Sequence, residues 1–379
     1  MKSLKKIKWS HFINYIAIAI VLIIFSAMSF TSGLNASTEY LLEKIAISII
    51  LAVSLSLVVG FLGELSLGHA GFMCVGAYLG GKLSAVLLSS LGNGPLNLIL
   101  SLICGGAVAA VCGVIIGLPA LRLKGDYLAI VTLAFGEIVK SIFQNTSMDS
   151  FGGALGLETP RYDRHSLFIF AFILVLATLA VIQNLMRSKH GRAITAIRDN
   201  EIAAKATGVN VTKYKLLAFT VSAFFAGIAG VLYSFSNYTV QSIKFGYNYS
   251  IEILVMVVLG GMGNVSGAII SATLITFLDT TLATVLTGNL AVLQDLLYAL
   301  ILIVIVIYNN APALKNFREK YNFGKLVQLV FKPKNDPAKI KDDAASWDNI
   351  PTKIQMDELL SYDLSKQNLS PDAPEKEEK

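Results

Sequence analysis

Charge is scarce in this 379-residue sequence: Asp, Glu, Lys and Arg make up 15% of it, against about a quarter in an ordinary soluble domain. Histidine and cysteine are rarer still, at four and three residues. Cys74, Cys104 and Cys112 all sit in apolar runs. They show neither the paired spacing of a metal or redox site nor the polar setting of an extracellular disulfide framework, so they read as small packing residues. The sequence has no His-Glu-x-x-His pair and no Gly-x-x-x-x-Gly-Lys-Ser/Thr loop. The first absence removes a common metallohydrolase pattern, the second removes phosphate-loop nucleotide binding, and no metal or catalytic set takes their place.

What the sequence does have is long apolar runs. Hydrophobic residues reach 54%, and they gather into stretches of about 17–25 residues, the length a helix needs to cross a bilayer core. Barrel strands would alternate apolar and polar side chains; the runs at 16–25 and 298–308 do not. A helix satisfies every backbone group within its own segment, which lipid requires. The sequence therefore reads as an all-α polytopic membrane protein of about ten spans, near residues 12–30, 42–60, 68–89, 96–118, 127–143, 166–185, 214–235, 250–262, 265–286 and 292–308. The third is glycine-rich and the eighth is short, so both are candidates for broken or re-entrant helices.

A net charge of +6 would raise nucleic-acid binding in a soluble protein. Here it reads as topology, because short cytoplasmic loops accumulate Lys and Arg. Starting inside, the spans place 121–126 and 186–215 in the cytoplasm; the longer loop holds Arg187, Lys189, Arg192, Arg198, Lys205, Lys213 and Lys215. Loops on the other side, such as 145–165, mix signs. Both termini are thus expected in the cytoplasm: 1–11 as a short basic end, and 311–379 as a tail too polar to bury a core and largely disordered. The first apolar run is long for a cleaved signal and reads as a retained span. Residues 12–310 form the membrane domain.

Three stretches carry distinctive chemistry. The first is Gly60-Phe-Leu-Gly-Glu-Leu-Ser-Leu-Gly-His-Ala-Gly-Phe72, continuing to Gly81. Gly76 and Gly80 have the small-xxx-small spacing of tight helix contacts. Glu64, Ser66, His69 and Gly71 sit where a broken helix would turn polar groups toward a substrate path; a turn followed by a tightly packed helix is the alternative. The second stretch, Gly260 to Gly267, repeats the small-xxx-small spacing at Gly263 and Gly267 and offers Asn264 and Ser266. The third lies in the long basic loop, from Gly191 to Gly208. Asp199 or Asn200 can cap a short helix beginning near Glu201, and Gly208 can end it. Ala203, Ala204 and Ala206 let a partner surface come close, and Arg198, Glu201 and Lys205 can anchor one. A docking element and an ordinary topology-setting loop both fit.

Few charges fall inside the spans. Glu137, Glu252 and Asp279 are the clearest, each costing about 2.5–3.5 kcal/mol at mid-membrane. Such groups face protein or a wet cavity rather than lipid. Glu137 is the deepest; Glu252 and Asp279 read as interfacial.

Taken in order, the three stretches and the 121–130 segment resemble the M-type permease subunits of branched-chain amino-acid ABC importers. Gly-Glu-Leu-Ser-Leu-Gly-His-Ala-Gly-Phe at 63–72, Leu-Arg-Leu-Lys-Gly-Asp-Tyr-Leu-Ala-Ile at 121–130, the 191–208 loop with Leu-Ala-Phe at 217–219 and Ala-Gly-Ile-Ala-Gly at 226–230, and Gly-Gly-Met-Gly-Asn-Val-Ser-Gly-Ala at 260–268 carry the likeness. The resemblance spans about 40–310. It implies half of a translocation pathway for leucine, isoleucine or valine in a bacterial cell membrane. It also implies that 186–215 is a coupling loop in which Arg198, Glu201, Ala203, Ala204 and Gly208 seat in an ATPase groove, with Ile202 inserted after the Glu. The implied partners are an H-type permease, two ATP-binding subunits that hold the ATP, an extracytoplasmic binding protein and membrane lipid. Permeases for urea, short-chain amides or other amino acids share much of the pattern. An ATPase-independent transporter would leave the 186–215 loop idle, and a membrane-embedded enzyme would need a constellation the spans do not supply.

Overall fold

The computed structural model describes residues 13–32, 35–92, 94–123, 125–160 and 162–285, with 296, 299, 300 and 303. The chain divides into two units, Met1–Asn309 and Asn310–Lys379, and the description concerns the first. The chain opens with the helices α1 (Ile13–Ser32), α2 (Ala36–Ser56), α3 (His69–Leu91), α4 (Pro95–Ala120) and α5 (Asp126–Asn145). A short α6 (Met148–Phe151) precedes α7 (Arg164–Arg187), α8 (Lys189–Asp199) and α9 (Glu201–Ala206). Then come α10 (Val211–Asn237), α11 (Tyr247–Gly260) and α12 (Val265–Val285). Nine of the expected spans coincide with α1–α5, α7 and α10–α12. Six helices are long and apolar enough to cross a membrane, and α1 and α11 contribute shorter apolar segments. The expected span at 292–308 falls almost wholly outside the described residues, as do the terminal segments 1–11 and 311–379.

Two details depart from the sequence reading. The third span is not broken: α3 runs without interruption for 23 residues. The break comes before it, where the end of α2 widens into a π-helix, Leu57–Leu62, and residues 63–68 form neither helix nor strand. Nor is the chain wholly helical. Two-residue strands, β1 (Leu157–Glu158) and β2 (Thr239–Val240), pair antiparallel with Leu157 opposite Val240.

The centre of the membrane domain is α2. Its most apolar window is 94% buried, against 33% for α4 and 28% for α12. A helix apolar all round belongs inside, and its neighbours take the lipid. Within membranes close packing replaces the hydrophobic effect as the adhesive between helices, so small residues mark the crossings. A Cβ at Gly76 on α3 would collide with the backbone of Gly227 on α10, and one at Gly230 with the backbone of Met73. A Cβ at Gly227 would also lie 2.8 Å from Gly105 O on α4. Glycine thus brings α3, α4 and α10 into one tight three-helix contact. Gly260 and Gly267 do the same for the α11–α12 hairpin.

Successive membrane helices run in alternating directions. One end of the bundle gathers residues 60–68, 121–122, 188–212 and 261–264. The opposite end gathers the β1–β2 ladder, the Thr159 N to Tyr238 O hydrogen bond and the Tyr40–Asn237 hydrogen bond.

Candidate functional site

The three sequence stretches, far apart in the chain, meet at the first of these ends. The π-turn closes at Gly63, whose φ of 79° needs glycine, and Glu64 N bonds back to Val58 O. Gly60 abuts the second glycine turn: a Cβ there would lie 2.5 Å from Gly263 N. Arg198, near the end of α8, crosses both turns. Its Nη1 donates to Gly60 O at 3.2 Å, and its Nε and Nη2 donate to Asp199 at 3.1 and 3.0 Å. Its aliphatic stem lies over Gly63, where a Cβ would come within 2.7 Å of Cγ.

The short helix α9 is built as its sequence suggests. Asn200, rather than Asp199, caps α9, its Oδ1 accepting Ala203 N–H at 3.0 Å. The helix ends at Gly208, with φ of 86° and Val209 N bonding Ala204 O at 3.1 Å, the left-handed closure that glycine permits. Asn210 then caps α10 by accepting Lys213 N–H. α9 has two faces. Ala204 is buried against the bundle, whereas Ile202 is 80% exposed and Ala203, Lys205 and Ala206 are exposed beside it.

Lys215 ties the site together. It lies in the second turn of α10 with its side chain 4% exposed. Its Nζ donates to Glu64 at 2.5 Å and to Glu201 at 3.0 Å. One buried ammonium therefore joins α9, α10 and the turn that leads into α3. Removing it leaves Glu64, whose side chain is 15% exposed, without its counter-charge, which costs about 3 kcal/mol, the low end for a buried pair. Sequence reading counted Lys215 only among the loop's basic residues. The available signal was its place inside an apolar run, where a lysine needs a carboxylate.

The remaining sequence candidates hold helices together. Ser66 is buried. His69 is 2% exposed at the start of α3, its Nε2 2.9 Å from Ser54 Oγ on α2. The Ser54 hydroxyl donates to Leu51 O, so it accepts from the imidazole N–H, and Ser222 on α10 donates to Ser54 O. Gly71 lets α3 approach Gly136 on α5; a Cβ would lie 2.7 Å from its Cα. Glu137 on α5 pairs with Lys140 and accepts Tyr247 N–H at 2.8 Å. It places a carboxylate at the N-terminus of α11, where the helix dipole favours negative charge. Asn264 Oδ1 accepts Gly267 N–H at 3.3 Å in the first turn of α12, and Ser266 donates to Asn14 on α1.

The family model for the branched-chain amino acid transport system permease component matches residues 37–306. The high-affinity branched-chain amino acid transport system permease proteins LivM of Salmonella typhimurium and of Escherichia coli K12 are each 37% identical to this chain over 260 residues, covering 60% of this chain and 60% of theirs. The chain thus spans about 60% of the length of these two relatives. A probable LivM permease of Methanocaldococcus jannaschii is 30% identical over 255 residues, 58% of this chain and 73% of its own. The ribose import permease protein RbsC of Escherichia coli K12 is 25% identical over 318 residues, 78% of this chain and 92% of its own. No solved structure matches. The capped α9, the glycine turns beside it and the apolar helices behind them are those of a multi-pass inner-membrane protein, and the chain belongs to the branched-chain amino acid transport system permease component family.

Proposed function

We propose that the chain forms half of the translocation pathway of an ABC importer for leucine, isoleucine and valine, driven by ATP hydrolysis on separate subunits. The observation that carries this is the buried Lys215 joining Glu201 of α9 to Glu64 of the segment ahead of α3. A push on α9 reaches a pore helix through that link without passing through a flexible loop. In this reading Ile202 and Ala203 enter a groove on one of two ATP-binding subunits, while Arg198, Glu201 and Gly208 hold α9 in position. An H-type permease supplies the other half of the pore, and an extracytoplasmic binding protein delivers the cargo. The excess of Lys and Arg in the 121–126 and 186–215 loops puts the coupling site and both termini in the cytoplasm. Ser66, His69, Gly71, Glu137, Asn264 and Ser266 serve the pathway by fixing the helices that wall it. ATP binds the partner subunits, and this chain carries no cofactor and performs no catalysis.

Two measurements test this. Deleting the gene in cells without a second importer is expected to abolish uptake of labelled leucine; unchanged uptake refutes the cargo. Glu201→Lys and Gly208→Arg are expected to leave ATP hydrolysis running while uptake falls at least tenfold; normal uptake in both refutes the coupling role.

A further inference from the structure

We infer that the cavity lined by α2, α10, the turn Ser242–Phe245, α11 and α12, at the end opposite the coupling site, is a binding site for a small zwitterion, the chemical class of the free amino acids. The cavity measures about 200 Å³. At about 30 Å³ per water that is room for six or seven, well below the roughly 300 Å³ at which drug-sized pockets begin. It brings together the two span carboxylates that looked separate and interfacial in the sequence, Glu252 and Asp279, with Lys44 and Lys244. Both signs face one space, two of each.

The groups are not used up by one another. Lys44 reaches Asp279 only at 3.9 Å and stands 5.5 Å from the Tyr40 ring. The Glu252 carboxylate makes no hydrogen bond or ion pair among the described residues. It lies five residues into α11, about 8 Å along the helix axis, and an unpaired ionisable group in a span marks function. Thr276 gives an independent sign. Thr178, Thr273 and Thr281 donate to the carbonyl four residues back, as helical threonines do. Thr276 is 5% exposed and its hydroxyl has no partner; Thr220 and Thr280 are likewise unpartnered, but of the three only Thr276 lines the cavity. A buried hydroxyl that forgoes its own helix is satisfied by what enters the cavity.

The charge pattern selects the class. A neutral sugar would leave Glu252 unpaired, a simple cation would face two lysines, and a lone carboxylate would face two acids. A zwitterion answers both signs, with the rings of Tyr40, Tyr233 and Tyr249 as an apolar wall that also attracts an ammonium group.

The inference deepens the importer reading and rests on it for the purpose of the binding. The test is equilibrium binding of radiolabelled leucine to the full chain in lipid nanodiscs, without the binding protein. Leucine is expected to bind and isoleucine to compete, with leucinamide and 4-methylpentanoate at least tenfold weaker. Glu252→Gln and Thr276→Val are each expected to weaken leucine binding at least fivefold, and exposed Glu158→Gln to leave it unchanged. Absence of binding, equal competition by the singly charged analogues, or normal affinity in both cavity variants overturns the site. The analogue series uses the unaltered chain, so it decides even where a variant fails to fold. If cells need the chain for leucine uptake but nanodiscs show no binding, the cavity falls and the importer reading stands. If binding holds while uptake does not depend on the chain, the importer reading falls and the cavity stands.

Discussion

The two ends of the bundle use charge in opposite ways. At the coupling end the buried cation is saturated: Lys215 holds both Glu64 and Glu201, and Arg198 is spread over Asp199 and the Gly60 carbonyl. At the cavity end an acid and a hydroxyl face space, and the nearest ion pair is stretched to 3.9 Å. A saturated cluster transmits displacement, because none of its members can move without dragging the others. An unsaturated one is poised to receive a ligand. Between them the glycine crossing packs α3, α4 and α10 backbone against backbone.

The largest break in this contrast comes from Lys215→Met. It removes the counter-charge of Glu64, whose side chain is 15% exposed, and of Glu201, at 40%, and is expected to destabilise the chain by about 3 kcal/mol, the low end for a buried pair, read as thermal unfolding of purified protein in detergent, and to abolish leucine uptake. Gly230→Ala strikes the crossing that connects the ends. Its Cβ would collide with the Met73 backbone, and overpacking of this kind costs about 1–3 kcal/mol. The same unfolding measurement checks it, with uptake falling in parallel.

Asn200→Ala removes the cap that starts α9 and is expected to cost about 1 kcal/mol locally, seen as faster amide exchange over 201–206 with the rest of the chain unchanged. Ile202→Asp is the sharpest control. The side chain touches little of this chain, so stability is expected to hold within about 0.5 kcal/mol, while co-purification of the ATP-binding subunits is lost. Retained co-purification would place the docking surface elsewhere. Thr276→Val is expected to be equally mild for stability, because no hydrogen bond is lost; a large destabilisation would mean the hydroxyl is already satisfied and would erase the difference between the ends.

Much of the scaffold was legible before the structure. Helices at nine of the expected spans, six of them long and apolar enough to cross a membrane, the short α11, the Asn200–Gly208 limits of α9 and the tight-packing role of Gly76 follow from run length, capping chemistry and spacing, all local properties. The glycine-rich α3 was misjudged as a candidate break because glycine weakens a helix in isolation, whereas here its missing side chains are filled by Gly227 and Val231 of α10. Lys215 and the pairing of Glu252 with Asp279 in one cavity were not legible, because each depends on residues distant in sequence. Lys215 meets Glu64 across 151 positions.

What the sequence determined by itself is the solvent and the secondary structure. Long uncharged runs demand lipid, lipid demands helices, and loop charge orders them; each step needs only neighbouring residues. Tertiary structure alone decided what the polar residues are for. A carboxylate becomes a strut when packing presents it with a buried lysine, as at Glu64 in the turn ahead of α3, and a receptor when packing presents it with a cavity, as at Glu252 on α11. The difference is a matter of which helices come together, and that is settled by glycine crossings and helix alternation over the whole domain rather than by any stretch of chain.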